Sequence, residues 1–160
     1  MGTEPRQGDL NEGGDGDAPF VADYLLFLLA STSAAASAEF HAVVRAEGLR
    51  VREWRVLACL HDEDGQMTTR LAELALMEQS RLTRIIDQMH TSGLVERRSD
   101  AEDRRRVRVF LTERGAAVAA NMIEKARAHE AALIARLPGA SGETLKRLLK
   151  RVHAELVDGE

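Results

Sequence analysis

The spacing of apolar residues changes in the middle of the chain, and this change restricts the fold more than any other feature. In "MEQSRLTRIIDQMHTSG", Leu82, Ile85, Ile86 and Met89 are spaced i, i+3, i+4 and i+7, which predicts a helix with one apolar face. Gly93 predicts the left-handed end of that helix. The next two runs, "LVERR" and "RVRVFLT", alternate with the period of two that is typical of strands. The polar "SDAED" between them predicts the turn of a β-hairpin.

Two short helices are predicted before this segment. "RVREWRVLACLHD" at 50–62 has apolar residues at near-helical spacing, and Thr68 is expected to cap a second helix in "TRLAELAL". The order helix, helix, helix, strand, strand is that of a winged helix-turn-helix. In that arrangement the second helix of the pair enters the major groove and the hairpin contacts an adjacent part of the duplex. We therefore predict a mainly α fold with a small β-wing.

Long apolar helices are predicted on both sides of this module. One runs over 19–46, another from a Thr112 cap to Leu137, and a last one begins at Ser141. Their apolar stripes exceed what one small module can cover, so we expect a homodimer. The chain is accordingly divided into a disordered acidic tail (1–18), a DNA-binding module (49–112) and a helical dimerisation region (19–48 and 113–157).

The charge of the chain is uneven. The formal net charge is −4, and residues 1–19 account for all of it with five acidic side chains against Arg6. This segment also holds five of the twelve glycines, which predicts disorder. The apolar stretch 20–38 imitates a secretory signal but lacks a cationic segment before it, and its richest apolar run, Tyr24 to Ala30, is far shorter than the about 20 residues of a membrane span. We predict a buried helix there, a cytoplasmic protein and no membrane partner.

The helix predicted in "MEQSRLTRIIDQMHTSG" has a polar face opposite its apolar stripe. Arginine can form two hydrogen bonds with guanine, glutamine can pair with adenine, and serine or threonine can bond a phosphate or a base edge. We expect DNA contacts from Ser80 and Arg84, from the flanking Gln79, Arg81 and Thr83, and from Thr69 on the preceding helix.

The hairpin is rich in arginine. Between Arg97 and Arg108 there are six arginines against three acidic residues, and cations on a protruding ribbon favour a polyanion such as a DNA groove. Asp103 is expected to pair with a neighbouring arginine and hold the wing in one shape. The arginines expected to contact DNA are Arg104, Arg105 and Arg106.

These motifs resemble those of the MarR family of bacterial transcriptional regulators, over about 20–157. "REWRVLACL" is similar to the Trp-x-Val-Leu core helix of that family, and "SRLTRIIDQMHTSGLVERR" is similar to its recognition helix and first wing strand. "DRRRVRVFLTERG" resembles its wing signature, with matches at Asp103, Arg105, Val109, Leu111, Thr112 and Gly115.

The resemblance implies a function and a ligand site. Members of the family are homodimers with intertwined terminal helices, and they are repressors or, less often, activators. A repressor on a pseudo-palindromic operator, released by a small aromatic or phenolic effector or its thioester, is thus the favoured interpretation. The effector site of the family lies between the dimer helices and the DNA module. In this chain the resemblance implies a lining of Phe40, His41, Arg45, Trp54 and Arg55.

Three other function classes were weighed. A redox-sensing regulator would use Cys59, the only cysteine, which lies in an apolar stretch where a thiol behaves as a small hydrophobe. An enzyme is not expected, because Cys59 and His61 would point apart on a helix. No metal or other cofactor is expected, since the five histidines are scattered and "DEDG" lacks the ligands of a calcium loop. A winged helix that binds only proteins would not need six arginines in its hairpin.

Overall fold

The computed structural model describes residues 19–100, 103, 106–139 and 141–157. The predicted tail (1–18) and the expected DNA contacts Arg104 and Arg105 lie outside the described residues. Within them the elements are α1 (Phe20–Asp23), α2 (Leu25–Ala46), α3 (Val51–Asp62), β1 (Gln66–Met67), α4 (Thr68–Leu74), α5 (Gln79–Thr91), β2 (Val95–Ser99), β3 (Val107–Leu111), α6 (Glu113–Ala135) and α7 (Ser141–Val157).

The chain divides into two compact units, and the first ends at Ala36. This unit contains α1 and the first part of α2. The prediction of a single helix over 19–46 is wrong, because α1 and α2 are separate helices. Tyr24 separates them with an extended backbone (φ −71°, ψ 118°), and the Tyr24 ring stacks on Phe20 at 5.0 Å. No glycine or proline stands at the interruption, so the sequence carries no signal for it.

The prediction of a buried helix over Tyr24 to Ala30 is also wrong for the single chain. The exposed fractions there range from 37% at Leu29 to 63% at Leu25, because nothing in the described part of one chain covers these side chains. By length and composition alone α2 could cross a membrane, with a mean hydropathy of 1.3. Core helices and signal sequences meet the same criterion, so this is weak evidence for a membrane span.

The second unit, 37–160, contains the main core. The four apolar residues of the stripe predicted in α5 are all buried, which confirms that helix and its orientation. The helix predicted in "TRLAELAL" is α4, where Leu71 and the following Ala75 are buried and Leu74 is 41% exposed. Other fully buried side chains come from α3 and the strands, namely Val56, Leu57, Leu60, Val95 and Val109.

The predicted helix ends are confirmed at two places and wrong at a third. Gly93 has a φ of +69°, and the Thr112 hydroxyl caps α6 by accepting the Gly115 N–H at 2.9 Å. Thr68 does not cap α4: Met67 occupies the cap position and no side chain bonds there. The reason is that β1 extends to Met67, so Thr68 is already the first helical residue.

The three strands form an antiparallel sheet in the order β1-β3-β2. The predicted hairpin is confirmed, with Val95 opposite Leu111 and Ser99 opposite Val107. The alternation predicted for β3 places Val109 in the core, whereas Val107 at the strand end is 37% exposed. The two-residue β1 was not predicted, because so short a strand shows no period.

The apolar stripe predicted on α7 is present but uncovered in the single chain. Gly142 packs at the start of this helix against Ile134 of α6, where an added Cβ would meet a side-chain carbon at 2.5 Å. Beyond that contact the stripe is exposed by 43–76% at Leu145, Leu148, Leu149, Val152 and Leu156.

Candidate nucleic-acid interface

The N-terminal half of α5 presents the polar residues that were expected to contact DNA. Its core residues fix the rotation of the helix, so the opposite face is turned to solvent. The Thr83 hydroxyl donates to the Gln79 carbonyl at 3.0 Å. The hydroxyl oxygen of Thr83 can then only accept a further hydrogen bond. The exposed residues are Gln79, Ser80, Arg81, Thr83 and Arg84.

A cleft of about 440 Å³ brings three of the expected DNA contacts together. Thr69 comes from α4, Gln79 from the start of α5 and Arg106 from the wing, and all three are exposed. The cleft thus joins both helices of the helix-turn-helix to the hairpin.

A second cleft, of about 560 Å³, lies on the other side of the α5 N-terminus. Ser80, Arg81 and Arg84 line it with Arg50 and Arg52 from the start of α3. The Arg50 guanidinium donates to the side-chain amide oxygen of Gln88. Sequence analysis missed Arg50 and Arg52, because only the packing of α3 against α5 brings them to this face.

The described arginines of the hairpin are paired within the chain. The partners are Asp87 for Arg97, Glu96 for Arg98, Asp103 for Arg106 and Asp100 for Arg108. Arg98 also lies over the Phe110 ring, 4.4 Å from its centroid. The charge counted from the sequence therefore overstates the cations available to DNA, since a count treats every charge as free. Arg106 retains the most open position, with 61% of its side chain exposed and its carboxylate partner 3.5 Å away.

The turn of the hairpin is held by a network around Asp100, a residue that the sequence did not indicate. Its carboxylate accepts hydrogen bonds from Arg108 and from the Asp103 N–H, the latter at 3.0 Å. Arg108 also donates to the Gly65 carbonyl at 2.9 Å. Across the turn, the Asp100 N–H donates to the Arg106 carbonyl at 2.9 Å. Asp100 is thus a second and more buried carboxylate at the turn, next to Asp103, for which a positioning role was expected.

Four of the five residues implied as an effector lining form two separate pairs, and Arg45 belongs to neither pair. Phe40 is buried and meets Trp54 edge to face at 5.4 Å, and the ring of His129, which sequence analysis missed, lies 5.4 Å from Phe40. His41 and Arg55 instead line a separate cleft, and Arg45 is exposed. Burial lowers the pKa of His41, and the charges of Arg55 and Arg45 lower it further. The described residues contain no group of three metal-binding side chains.

Comparison with known proteins adds to this geometry. The model of the MarR family matches residues 49–107. A MarR family transcriptional regulator from Silicibacter pomeroyi DSS-3 is 54% identical, and the match covers 84% of this chain and 98% of that structure with a TM-score of 0.75. The chain belongs to the MarR family. It is a transcriptional regulator with a winged-helix fold, as its sequence predicted.

Two further proteins are similar to it. The HTH-type transcriptional regulator TtmR of Methylorubrum extorquens (strain PA1) is 24% identical over 111 residues, which are 69% of this chain and 57% of TtmR. The match thus spans little more than half the length of TtmR. A MarR family protein from Mycobacterium tuberculosis in complex with salicylic acid is 27% identical, and the match covers 86% of this chain and 98% of that structure with a TM-score of 0.67.

Proposed function

We propose that this MarR-family protein is a repressor that binds a pseudo-palindromic operator as a homodimer and is released by a small aromatic or phenolic effector or its thioester. The observation that carries the proposal is the joint cleft of Thr69, Gln79 and Arg106, which unites α4, α5 and the wing. A protein that contacts one duplex with helix and hairpin together needs this arrangement.

The exposed residues of α5 divide into two roles in this proposal. Arg84 and Gln79 read base edges, because their side chains can form paired hydrogen bonds with guanine and adenine. Ser80 and Arg81 bond phosphates or base edges at the same end of the helix, and Thr83, whose hydroxyl donates to the Gln79 carbonyl, accepts from a base edge. In the wing Arg106, together with Arg104 and Arg105 of the sequence, enters the adjacent minor groove, while Asp103 and Asp100 fix the shape from which they reach it.

The dimer is supported by the apolar side chains that one chain leaves uncovered. Leu25 to Leu29 on α2 and the stripe of α7 are exposed by 37–76%. Contiguous apolar surface of this kind marks an interaction site, and a two-fold dimer is the commonest way to cover it.

An aromatic effector is supported by the neighbourhood of Phe40 and Trp54. Phe40 and Trp54 meet edge to face at 5.4 Å and could pack against the ring of such a ligand, whereas His41 and Arg55 line a separate cleft. The relative solved with salicylic acid is consistent with that class of ligand. The redox alternative is less well supported, because burial and then the charge of Asp62 raise the pKa of the Cys59 thiol and so disfavour the reactive thiolate.

A gel-shift experiment tests the proposed function. The dimer is expected to retard the DNA upstream of its own gene at concentrations that leave a random duplex of equal length free. At least one member of a panel of aromatic acids and their thioesters is expected to reverse the shift. Equal retardation of both duplexes would contradict a sequence-specific regulator, and an unresponsive operator complex would contradict the effector.

A further inference from the structure

A cleft of about 510 Å³ beside the start of α5 is lined by arginines and by no carboxylate. It lies between α2, the N-terminal turn of α3 and the turn that connects α4 to α5. Its lining residues are His41, Arg50, Val51, Arg52, Arg55, Leu76, Met77 and Arg81. A volume of this size is in the range of small-molecule sites.

No described carboxylate lines this cleft, although Glu53 and Glu78 line the neighbouring cleft that shares Arg50, Arg52 and Arg81 with it. None of its four arginines forms an ion pair with a described carboxylate, and Arg50 bonds only the neutral amide of Gln88 through its side chain. The described wing arginines, by contrast, each contact a carboxylate. Guanidinium groups gathered without counter-ions repel one another, so an anion that enters the cleft gains favourable interactions with several of them at once. Burial lowers the pKa of His41, which lines the cleft, and the positive charges of Arg55 and Arg45 lower it further.

We propose that this cleft binds a phosphorylated small molecule with two or more negative charges. The planar fork of arginine matches phosphate oxygens with two parallel hydrogen bonds, and Arg50, Arg52 and Arg81 supply three forks. A single carboxylate would compensate only one of the four charges. Val51, Leu76 and Met77 form an apolar wall that suits the organic part of the ligand.

The turn that carries Leu76 supports a ligand at this position. Leu76 has a φ of +54°, a left-handed conformation that costs free energy for any residue with a side chain, and its side chain is 81% exposed. Residues held in such conformations cluster at ligand sites and switch regions. An exposed leucine beside arginines matches a ligand with apolar and anionic parts.

Binding at this cleft is linked to DNA through Arg81. Arg50, Arg52 and Arg81 also line the cleft that contains Ser80 and Arg84, the outward residues of α5. An anion that holds Arg81 removes positive charge from the DNA-facing end of the helix, so ligand and operator compete for the same side chain. This step alone rests on the proposed function, since ligand binding itself requires no DNA.

Pyrophosphate is the probe for the experiment, with the full-length protein and isothermal titration calorimetry at low salt. We expect one pyrophosphate per chain and a loss of affinity of at least about tenfold in Arg52→Ala, because a charge-assisted arginine contact is lost. Arg127→Ala is the matched control, since it removes the same charge from an exposed position on α6 outside the cleft. The pyrophosphate affinity of Arg127→Ala should stay within about twofold of wild type.

In the wild type, pyrophosphate should also raise the pKa of His41 measured by NMR, because a nearby anion favours the charged imidazole.

A competition assay with the operator duplex completes the test. Pyrophosphate should release DNA from the wild type, while Arg55→Ala, at a residue that lines this cleft but not the one with Ser80 and Arg84, should still bind DNA but resist release. Equal pyrophosphate affinities for Arg52→Ala and Arg127→Ala would overturn the site and leave only a diffuse charge effect. No pyrophosphate binding, with Arg52→Ala weakening operator and random duplexes alike, would also overturn it and assign these arginines to the DNA backbone. Variant-dependent pyrophosphate binding without any operator binding would support the site and contradict the proposed function.

Discussion

The carboxylate of Asp100 and the guanidinium of Arg108 form an ion pair at the start of the hairpin turn, and Asp100 is its buried member, with 8% of the residue exposed. The same guanidinium bonds the Gly65 carbonyl, just before β1. Two segments that are distant in sequence, the hairpin turn and the loop before the helix-turn-helix, are thereby joined by one side chain.

Asp100→Asn is expected to weaken operator binding, although it removes a negative charge from a DNA-facing element. Arg108 would lose its charged partner and the wing would pay ordering entropy on contact with DNA. Stability should fall by about 1–2 kcal/mol, a value reduced for the partial exposure of Arg108. Gel shifts and urea denaturation measure the two effects. Glu96→Gln, which disrupts an exposed ion pair in β2, is the control; tighter DNA binding by Asp100→Asn at every salt concentration would refute the positioned wing.

Arg106→Ala is expected to weaken binding to all duplexes and to flatten the salt dependence. Loss of one phosphate contact reduces the slope of log affinity against log salt by up to about one unit, following counterion release. Titrations at several salt concentrations give the slope. Arg98→Ala removes an arginine that lies over Phe110 instead, and an equal change of slope in both variants would argue against a specific role of Arg106.

Arg84→Ala is expected to relax base preference more than it weakens binding overall. A paired contact with a guanine contributes roughly 1–3 kcal/mol of discrimination against the wrong base. The measurement is the ratio of affinities for the operator and for variants changed at single positions. A parallel loss of affinity for operator and random DNA would show that Arg84 contacts only phosphate.

Gly115→Ala is expected to destabilise the protein, although alanine ordinarily favours a helix over glycine by about 1 kcal/mol. An added Cβ would lie 1.9 Å from the carbonyl oxygen of Leu94, so the backbone of the α5–β2 connection or of α6 must shift. We expect a loss of about 2 kcal/mol or more, typical of overpacked sites. Thermal unfolding followed by circular dichroism decides the sign, and a rise in Tm would contradict the close approach.

Leu149→Glu is expected to shift the protein from dimer to monomer. The leucine is 43% exposed on α7 in the single chain, and a carboxylate would be buried without a partner in an apolar interface. Lys150→Glu changes the charge of the next, exposed residue and should leave the dimer intact. Sedimentation equilibrium distinguishes the 17.6 kDa chain from twice that mass; a wild type that sediments as a monomer at micromolar concentration would refute the dimer itself.

The parts of the fold that the sequence predicted are those in which one period extends over several residues. The stripe of α5 and the alternation of the hairpin are of this kind, and their boundaries agree with the structure within about two residues. The two-residue β1 exists only because β3 lies beside it, and the position of Thr68 inside α4 depends on that pairing. Tertiary pairing of this kind leaves no local pattern.

The candidate site was predictable only where its residues share one element. The exposed residues of α5 followed from its helical period, whereas the partners of the wing arginines depend on strand register and side-chain direction. The cleft of Arg50, Arg52 and Arg81 depends on packing between residues about thirty positions apart. The two pairs of the implied effector lining separate because Phe40 and His41, adjacent on one helix, point in different directions.

The Thr112 hydroxyl joins the start of α6 to the end of the recognition helix. It accepts the Gly115 N–H at 2.9 Å and donates to the Gly93 carbonyl at 2.7 Å, while the Thr112 N–H bonds the Leu94 carbonyl at 3.1 Å. From this joint α6 extends over 23 residues, or ~34 Å, and it is also held by the buried Ala119 and Met122 and by the ion pair of Lys125 with Glu47. A tilt of roughly 5° about the joint would move the far end of α6 by about 3 Å, using the helical rise of 1.5 Å per residue. We therefore expect a displacement at the far end of α6 to act on the end of α5 through the Thr112 hydroxyl.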